Sequence, residues 1–355
     1  MPLPPPPPSR EGRPALSKPL PPPPPSREGR PALSVRDPRP LPAPPGIIPE
    51  IKLGMIESIN DLSGNGMNPI WKVNLRGGGK VIVKAERQIE SGVAFARGNI
   101  NAISGIVTAI TPTGAFAKLS PSEIGALNRC VPRPASMTTS LMQSAQKTVN
   151  LVKMRFDPTF YSSTAHDVEA SCGKKAMTPT ERADATTLFS SLRGNIRAWE
   201  TLGQVLIADA VIGNHDRFNI SSGTVGNFGN LIFSRDANGR VMRAQGYDSL
   251  DPFSGVSSMM YGVDIQEWID SDGKYIKDNK AVFPGLAQKI VDNMNEWRMR
   301  PLKLADYGSA EVTWFWQGMG AAWDKLARDI STKVTKGQGI PSGVMARAKY
   351  LGWVR

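Results

Sequence analysis

The sequence predicts an α+β protein: a small β-rich part, then a larger helical part, both behind a proline-rich arm. Three observations carry this. Residues 1–46 are dominated by a proline-rich tandem repeat. Between Met55 and Lys84, short apolar runs are separated by Gly- and Asn-rich turn signals. From about Ala135 onward the pattern is mostly helical, most clearly over residues 195–212.

The arm comes first. Residues 2–17 read PLPPPPPSREGRPALS, and residues 19–34 repeat them letter for letter, with Lys18 between. Proline fixes φ and lacks an amide proton, so such tracts favour extended polyproline II and build no core. A disordered or semi-rigid linker is expected here. Arg10, Lys18 and Arg27 beside the tracts are compatible with a ligand for a proline-binding domain; a plain tether is the alternative.

The β-rich part is assigned to residues 47–134. Residues 55–59 and 69–75 read as strands, joined by the turn chemistry of DLSGNGMN at 61–68. Gly77, Gly78 and Gly79 form a tight hairpin turn into a third strand, residues 80–84 (KVIVK). A helix over 86–97 is expected to follow.

Residues 135–355 form the helical part. Ile196, Trp199, Leu202, Leu206 and Ala210 recur at helical spacing, and Gly213 stands where a left-handed cap ends the helix. Residues 286–298, 312–330 and 342–353 are the best later helices. Trp314, Phe315, Trp316 and Trp323 fall at helical spacing and are assigned to the core.

Composition narrows the classes. The chain has 355 residues and a net charge of +12, which suits an anionic partner such as a nucleotide, an acidic protein surface or a phospholipid. No helix-turn-helix, zinc-finger or RNA-binding signature favours nucleic acid. The longest uncharged run, 98–117, is broken by Gly98, Asn99, Asn101, Pro112 and Gly114, so no membrane span is expected. No signal peptide is read at the N-terminus. The expected compartment is the cytoplasm, or a host cytoplasm for a secreted bacterial effector. Cys130 and Cys172, the only two cysteines, are expected to be reduced thiols. The scattered Cys and His residues give no zinc spacing, so any metal would be a hard cation on oxygen ligands.

Residues 213–253 are the most informative. Asn214, His215, Asp216 and Arg217 follow a helix end. Asn230 directly precedes the apolar run Leu231-Ile232-Phe233. Asp236 to Gly239 (DANG) is a hairpin turn signal, residues 241–245 form the return strand, and Asp248 lies just beyond it. Phosphoryl transfer to a hydroxyl needs a carboxylate to orient the nucleophile and oxygen ligands to hold Mg²⁺ on a triphosphate. Asp216 suits the first role. Asn230 and Asp248, at the two ends of one hairpin, suit the second, with Asn219 and Asp251 as their rivals.

These residues resemble the protein-kinase-like superfamily, on its actin-fragmin kinase and phosphoinositide-kinase side. Asn214 to Arg217 looks like the catalytic loop, Gly226 to Ile232 like the metal-binding asparagine and its strand, and Gly246-Tyr247-Asp248 like the second metal site. Asn230 lies fourteen residues after Asp216, where most relatives have five, which implies a lengthened loop. The resemblance implies a bilobal kinase-like fold, catalytic residues Asp216 and Arg217, and magnesium ligands Asn230 and Asp248. Strand alternation puts Ile82 and Lys84 on one face of the third strand. The resemblance makes Lys84 the lysine on the α- and β-phosphates, held by Glu90 or, second, Glu86. Gly64 and Gly66 would cover the phosphates. The implied activity is ATP- and Mg²⁺-dependent transfer to a protein Ser/Thr hydroxyl. A catalytically weak pseudokinase, a lipid kinase and a Pro-rich interaction protein are the alternatives.

Overall fold

A computed structural model describes residues 48–62, 69–86, 116–155, 160–162, 179–214, 217–226, 231–235, 241–246, 265–277, 281–340 and 342–355. The arm, residues 87–97 of the helix expected over 86–97, and segments 63–68 and 236–240 lie outside them; Glu86, expected to begin that helix, instead ends a strand, Lys80–Glu86.

The N-terminal part is built on a five-stranded antiparallel sheet. Its strands are β1 (Ile56–Asp61), β2 (Ile70–Leu75), β3 (Lys80–Glu86), β4 (Phe116–Lys118) and β5 (Asn150–Arg155), in the order β1-β2-β3-β5-β4. Gly77 and Gly78, both at φ 87°, make the β2–β3 turn that only glycine enters without strain. Side chains alternate across each strand, so Trp71, Val73 and Leu75 of β2 and Val81, Val83 and Ala85 of β3 share one buried face. Helices α1 (Pro121–Arg129) and α2 (Ala135–Ala145) supply Ala126, Leu127, Met137 and Leu141 to the same core.

Glu123 ties this unit together. Ser120 caps α1 and forms a reciprocal capping box with Glu123, whose Oε2 accepts the Ser120 N–H at 2.8 Å. Its Oε1 accepts from the Ile51 N–H at 3.0 Å and from Lys153 Nζ on β5 at 2.6 Å. Two buried charges thus neutralise each other, and the carboxylate accepts three hydrogen bonds, which helps such a pair to be tolerated.

Helical structure was expected from Ala135 onward. Instead α2 packs on the first core and β5 is an inner strand of the first sheet. The change from sheet to helices therefore falls after Arg155. Even there a second sheet intervenes, with β6 (Phe160–Ser162), β9 (Leu231–Arg235) and β10 (Val241–Gly246) in the order β10-β9-β6.

The C-terminal part has its own core around a central helix. Its helices are α3 (Pro179–Leu192), α4 (Ile196–Ile212), α5 (265–276, with a π-helical turn at Ile269–Gly273), α6 (Phe283–Met294, running into a π-helical turn at Asn295–Met299), α7 (Ser309–Thr335) and α8 (Ser342–Tyr350). The Asn195 side chain caps α4 by accepting the Ala198 N–H at 3.1 Å, and Gly213 at φ 77° ends it as expected. From Val205 to Ile212 every residue of α4 is buried. Trp199 meets Tyr307 and Phe315 edge-on, with ring centroids 4.8 and 6.1 Å apart. Burial raises the Tyr307 hydroxyl well above its ordinary pKa, and it donates to the Phe189 carbonyl at 2.8 Å. Phe315 and Trp323 are core residues, with Trp314 and Trp316 packed at its edge. Among the described residues, no helix is long and apolar enough to cross a membrane.

α4 and α7 touch backbone to backbone. A Cβ on Gly203 would collide with the Phe315 carbonyl oxygen, and one on Gly318 with the Glu200 carbonyl oxygen. Gly318→Ala is expected to destabilise the protein by about 1–3 kcal/mol or more, because neither backbone can yield. Gly320→Ala, with nothing within 4 Å, should be neutral or stabilising by up to about 1 kcal/mol. Urea unfolding of both variants checks the pair.

Glu123 gives a second test. Burial pushes its carboxyl up, but hydrogen bonds from Lys153, Ser120 and Ile51 outweigh that and leave it below 4.5. A carboxyl depressed in the folded state adds stability above its unfolded pKa, and that stability is lost as pH falls through the folded value. Glu123→Gln should therefore be less stable than wild type at neutral pH, with the gap narrowing below pH 4.5 in acid-dependent thermal melts.

Candidate functional site

Lys84 sits where the strand pattern put it, on the sheet face opposite the first core. Ile82 precedes it on that face, and the register sets it between Ile70 of β2 and Val152 of β5. Lys84 is only 6% exposed, so its ammonium has lost most of its water and requires a counter-charge. Glu86, two residues on and on the same face, supplies it: Nζ lies 2.6 Å from Oε1. Glu90 and the turn glycines Gly64 and Gly66 lie outside the described residues, so the partner seen is the second choice from sequence.

The catalytic-loop region is organised by Asp209, a carboxylate inside an otherwise apolar stretch of α4. It is 1% exposed, and Arg217 is fully buried. Arg217 donates through Nε to Asp209 Oδ2 at 2.8 Å and through Nη2 to Oδ1, a bidentate pair. Asn214 adds its Nδ2 to Oδ1 at 3.1 Å, and its backbone N–H bonds the Asp209 carbonyl at 2.9 Å. One side chain on the last turn of α4 thus grips the chain on both sides of residues 215–216.

The hairpin of β9 and β10 closes on the same point. Gly246 presses on Arg217: an added Cβ would lie 3.0 Å from Cζ. Leu231 is the cross-strand partner of Gly246. Between these elements, β7 (Phe218–Asn219) and β8 (Thr224–Val225) form a small hairpin, held to Arg217 by the Gly226 N–H on its carbonyl at 2.9 Å. Gly223 needs its positive φ of 68° and lies against the Lys289 stem.

The described residues thus bring Asn214 and Arg217 onto Asp209, with Gly246 against Arg217 and Leu231 paired with Gly246 across the strands. Asp216, Asn230 and Asp248, with His215 and Asp251, lie outside them. Asn219, the rival ligand, is occupied: its Oδ1 accepts from Ser221 Oγ at 2.9 Å and from the Ser222 N–H at 3.0 Å, which braces the turn. Among the described residues, no group of three His, Cys, Asp or Glu side chains is placed to hold a metal ion. Sequence reasoning passed over Asp209. Its signal was a lone carboxylate between Ala208 and Ala210 in a buried apolar run, which demands a buried cation. A scan against protein-family models found none matching this chain, and a search of curated proteins found none either.

Removing one half of a buried pair strands the other. Arg217→Met and Asp209→Asn should each destabilise the protein by about 3–5 kcal/mol, read from urea unfolding midpoints. The double variant should cost much less than the sum of the two.

Proposed function

We propose that this chain is an ATP- and Mg²⁺-dependent phosphotransferase with a bilobal, protein-kinase-like fold, acting on a protein Ser/Thr hydroxyl. The observation that carries the reading is the buried, carboxylate-paired Lys84 on the third strand of an antiparallel sheet. Protein kinases use a third-strand lysine, held by a carboxylate, in this way. Two separate hydrophobic cores, one under the sheet and one around α4, suit two lobes.

The second support is the junction at Asp209. Asp216 precedes Arg217, Asn230 precedes Leu231, and Asp248 follows Gly246 by two residues. Each step along the chain spans at most ~3.8 Å, so all three are tethered within a short reach of one point. In this reading Asp216 orients the acceptor hydroxyl and takes its proton. Lys84 holds the α- and β-phosphates. Arg217, buried and paired with Asp209, is a positioning residue for the loop. Asn230 and Asp248 offer the oxygen donors that a hard cation requires. Mg²⁺, when bound, neutralises charge on the transferring phosphoryl group.

The test is transfer from γ-labelled ATP with Mg²⁺ to a mixed protein acceptor panel. Asp216→Asn should lower turnover by at least ~100-fold, the usual scale for a general base, while nucleotide affinity stays near wild type. Asp248→Asn should shift the Mg²⁺ requirement upward. Full activity of Asp216→Asn, or no nucleotide binding by the wild-type chain, would sink the reading.

A further inference from the structure

We infer that Asn293, on α6, is a positioning residue for the chain that carries Asp216, acting through the β7–β8 hairpin. The inference rests on the phosphotransferase reading and names what braces its base from outside the site.

The hairpin closes on itself. Asp216 and Asn230 are fourteen residues apart in sequence, and residues 218–225 form an excursion within that interval. Phe218 pairs with Val225 and Asn219 with Thr224. Just outside the first pair, the Gly226 N–H donates to the Arg217 carbonyl at 2.9 Å, so the chain returns to the point at which it left. Across that bond, Asp216 is joined to Asn230 in six steps instead of fourteen. The bond also completes the hold on Arg217. Asp209 pins its side chain, and Gly226 pins its carbonyl. Together they fix the backbone direction at the residue next to Asp216. Asn230 has a tether of its own in Leu231, which is buried and paired with Gly246.

The Arg217–Gly226 bond is only as steady as the hairpin behind it. β7 and β8 have two residues each, and so short a ribbon does not hold by itself. Helices α5, α6 and α7 all contribute. Phe218 and Ile220 are buried in the C-terminal core, with Phe218 and Phe315 of α7 at 6.2 Å between ring centroids. At the tip, the Ser221 N–H donates to Asp272 Oδ1, on the π-helical turn of α5, at 3.1 Å. Gly223 lies there against the Lys289 stem of α6. At the closing end, the Val225 N–H donates to Asn293 Oδ1 at 3.0 Å.

These contacts differ in what they reach. Asp272 and Lys289 steady the tip. Asn293 grips the residue next to Gly226, at the point where the excursion closes. It does so from the last turn of a seated helix, whose Leu286, Ile290, Val291 and Met294 are buried in the same core. Removing the Asn293 acceptor therefore loosens the Val225–Gly226 end and lets the Arg217 peptide pivot. A general base must lie within hydrogen-bond reach of the hydroxyl it serves, and a misplacement of about 1 Å costs on the order of a hundredfold in rate even when its cause is remote. Nucleotide contacts at Lys84, on a different sheet, are left as they were.

The test uses the full chain and has two readings. The first is transfer from γ-labelled ATP to the protein acceptor panel, with MgATP varied, for wild type, Asn293→Leu and Asn293→Asp. Leucine matches the shape without an acceptor; aspartate keeps an oxygen at the same place. Asn293→Leu should lower kcat about tenfold to a hundredfold and leave the KM for MgATP near wild type. Asn293→Asp should restore most of kcat. The second reading is hydrogen exchange, which needs no activity: the Val225 amide should exchange about fivefold faster in Asn293→Leu, the worth of one lost hydrogen bond. Wild-type kcat in Asn293→Leu overturns the inference and leaves the phosphotransferase reading standing. So does an Asn293→Asp protein as slow as Asn293→Leu, a fall in kcat matched by an equal fall in MgATP affinity, or unchanged exchange at Val225. A wild-type chain that transfers no phosphoryl group sinks the phosphotransferase reading, and this inference with it. Should Asn293→Leu fail to fold in thermal melts, Asn293→Ala, which also removes the acceptor, carries the decision by the same two readings.

Discussion

The buried pair between Asp209 and Arg217 is the constraint around which the C-terminal part is arranged. A carboxylate on an otherwise apolar helix surface is tolerable only with a cation in direct contact, and Arg217, from the chain just past the helix end, supplies one. That requirement makes the chain turn back on α4 immediately after Gly213. The turn in turn fixes where β7 begins and where Gly246 can lie. A Cβ at Gly246 would lie 3.0 Å from the guanidinium carbon, closer than ordinary packing unless Arg217 gives way. A single electrostatic demand thus sets the course of three separate stretches of chain.

The N-terminal part uses charge differently on its two sheet faces. Lys153 points into the core face and is answered by Glu123 from α1, thirty residues away in sequence. Lys84 points to the opposite face and is answered locally by Glu86. The first pair joins two elements and so contributes to how α1 sits on the sheet. The second pair lies within one strand, on the face that carries the nucleotide-binding lysine in the reading offered above.

Much of this was legible because local rules govern it. The β2–β3 hairpin follows from three glycines between alternating strands, and α4 follows from its apolar spacing and cap glycine. The side of β3 on which Lys84 lies follows from counting by two. β5 escaped because Lys153 interrupts its apolar face, and the lysine makes sense only once Glu123 stands beside it. Arg217 suggested chemistry by its place next to Asp216, and its guanidinium is paired with Asp209. That was unreadable without knowing that Asp209 faces the same interior. Glu86 was second to Glu90 because a helix glutamate is the familiar partner, whereas two-residue strand spacing puts the nearer carboxylate on the lysine's own face.

The glycine contact between α4 and α7 has a mechanical consequence. Packed helices ordinarily slide on one another by small changes in side-chain torsions, which act as a compliant layer between two stiff rods. At Gly203 and Gly318 that layer is missing, and peptide groups bear directly on peptide groups. The two helices should therefore move as a single beam. Asp209 is carried on that beam less than two turns beyond Gly203. Any displacement imposed on Arg217 would then be passed along α4 and α7 together instead of being absorbed where it arises.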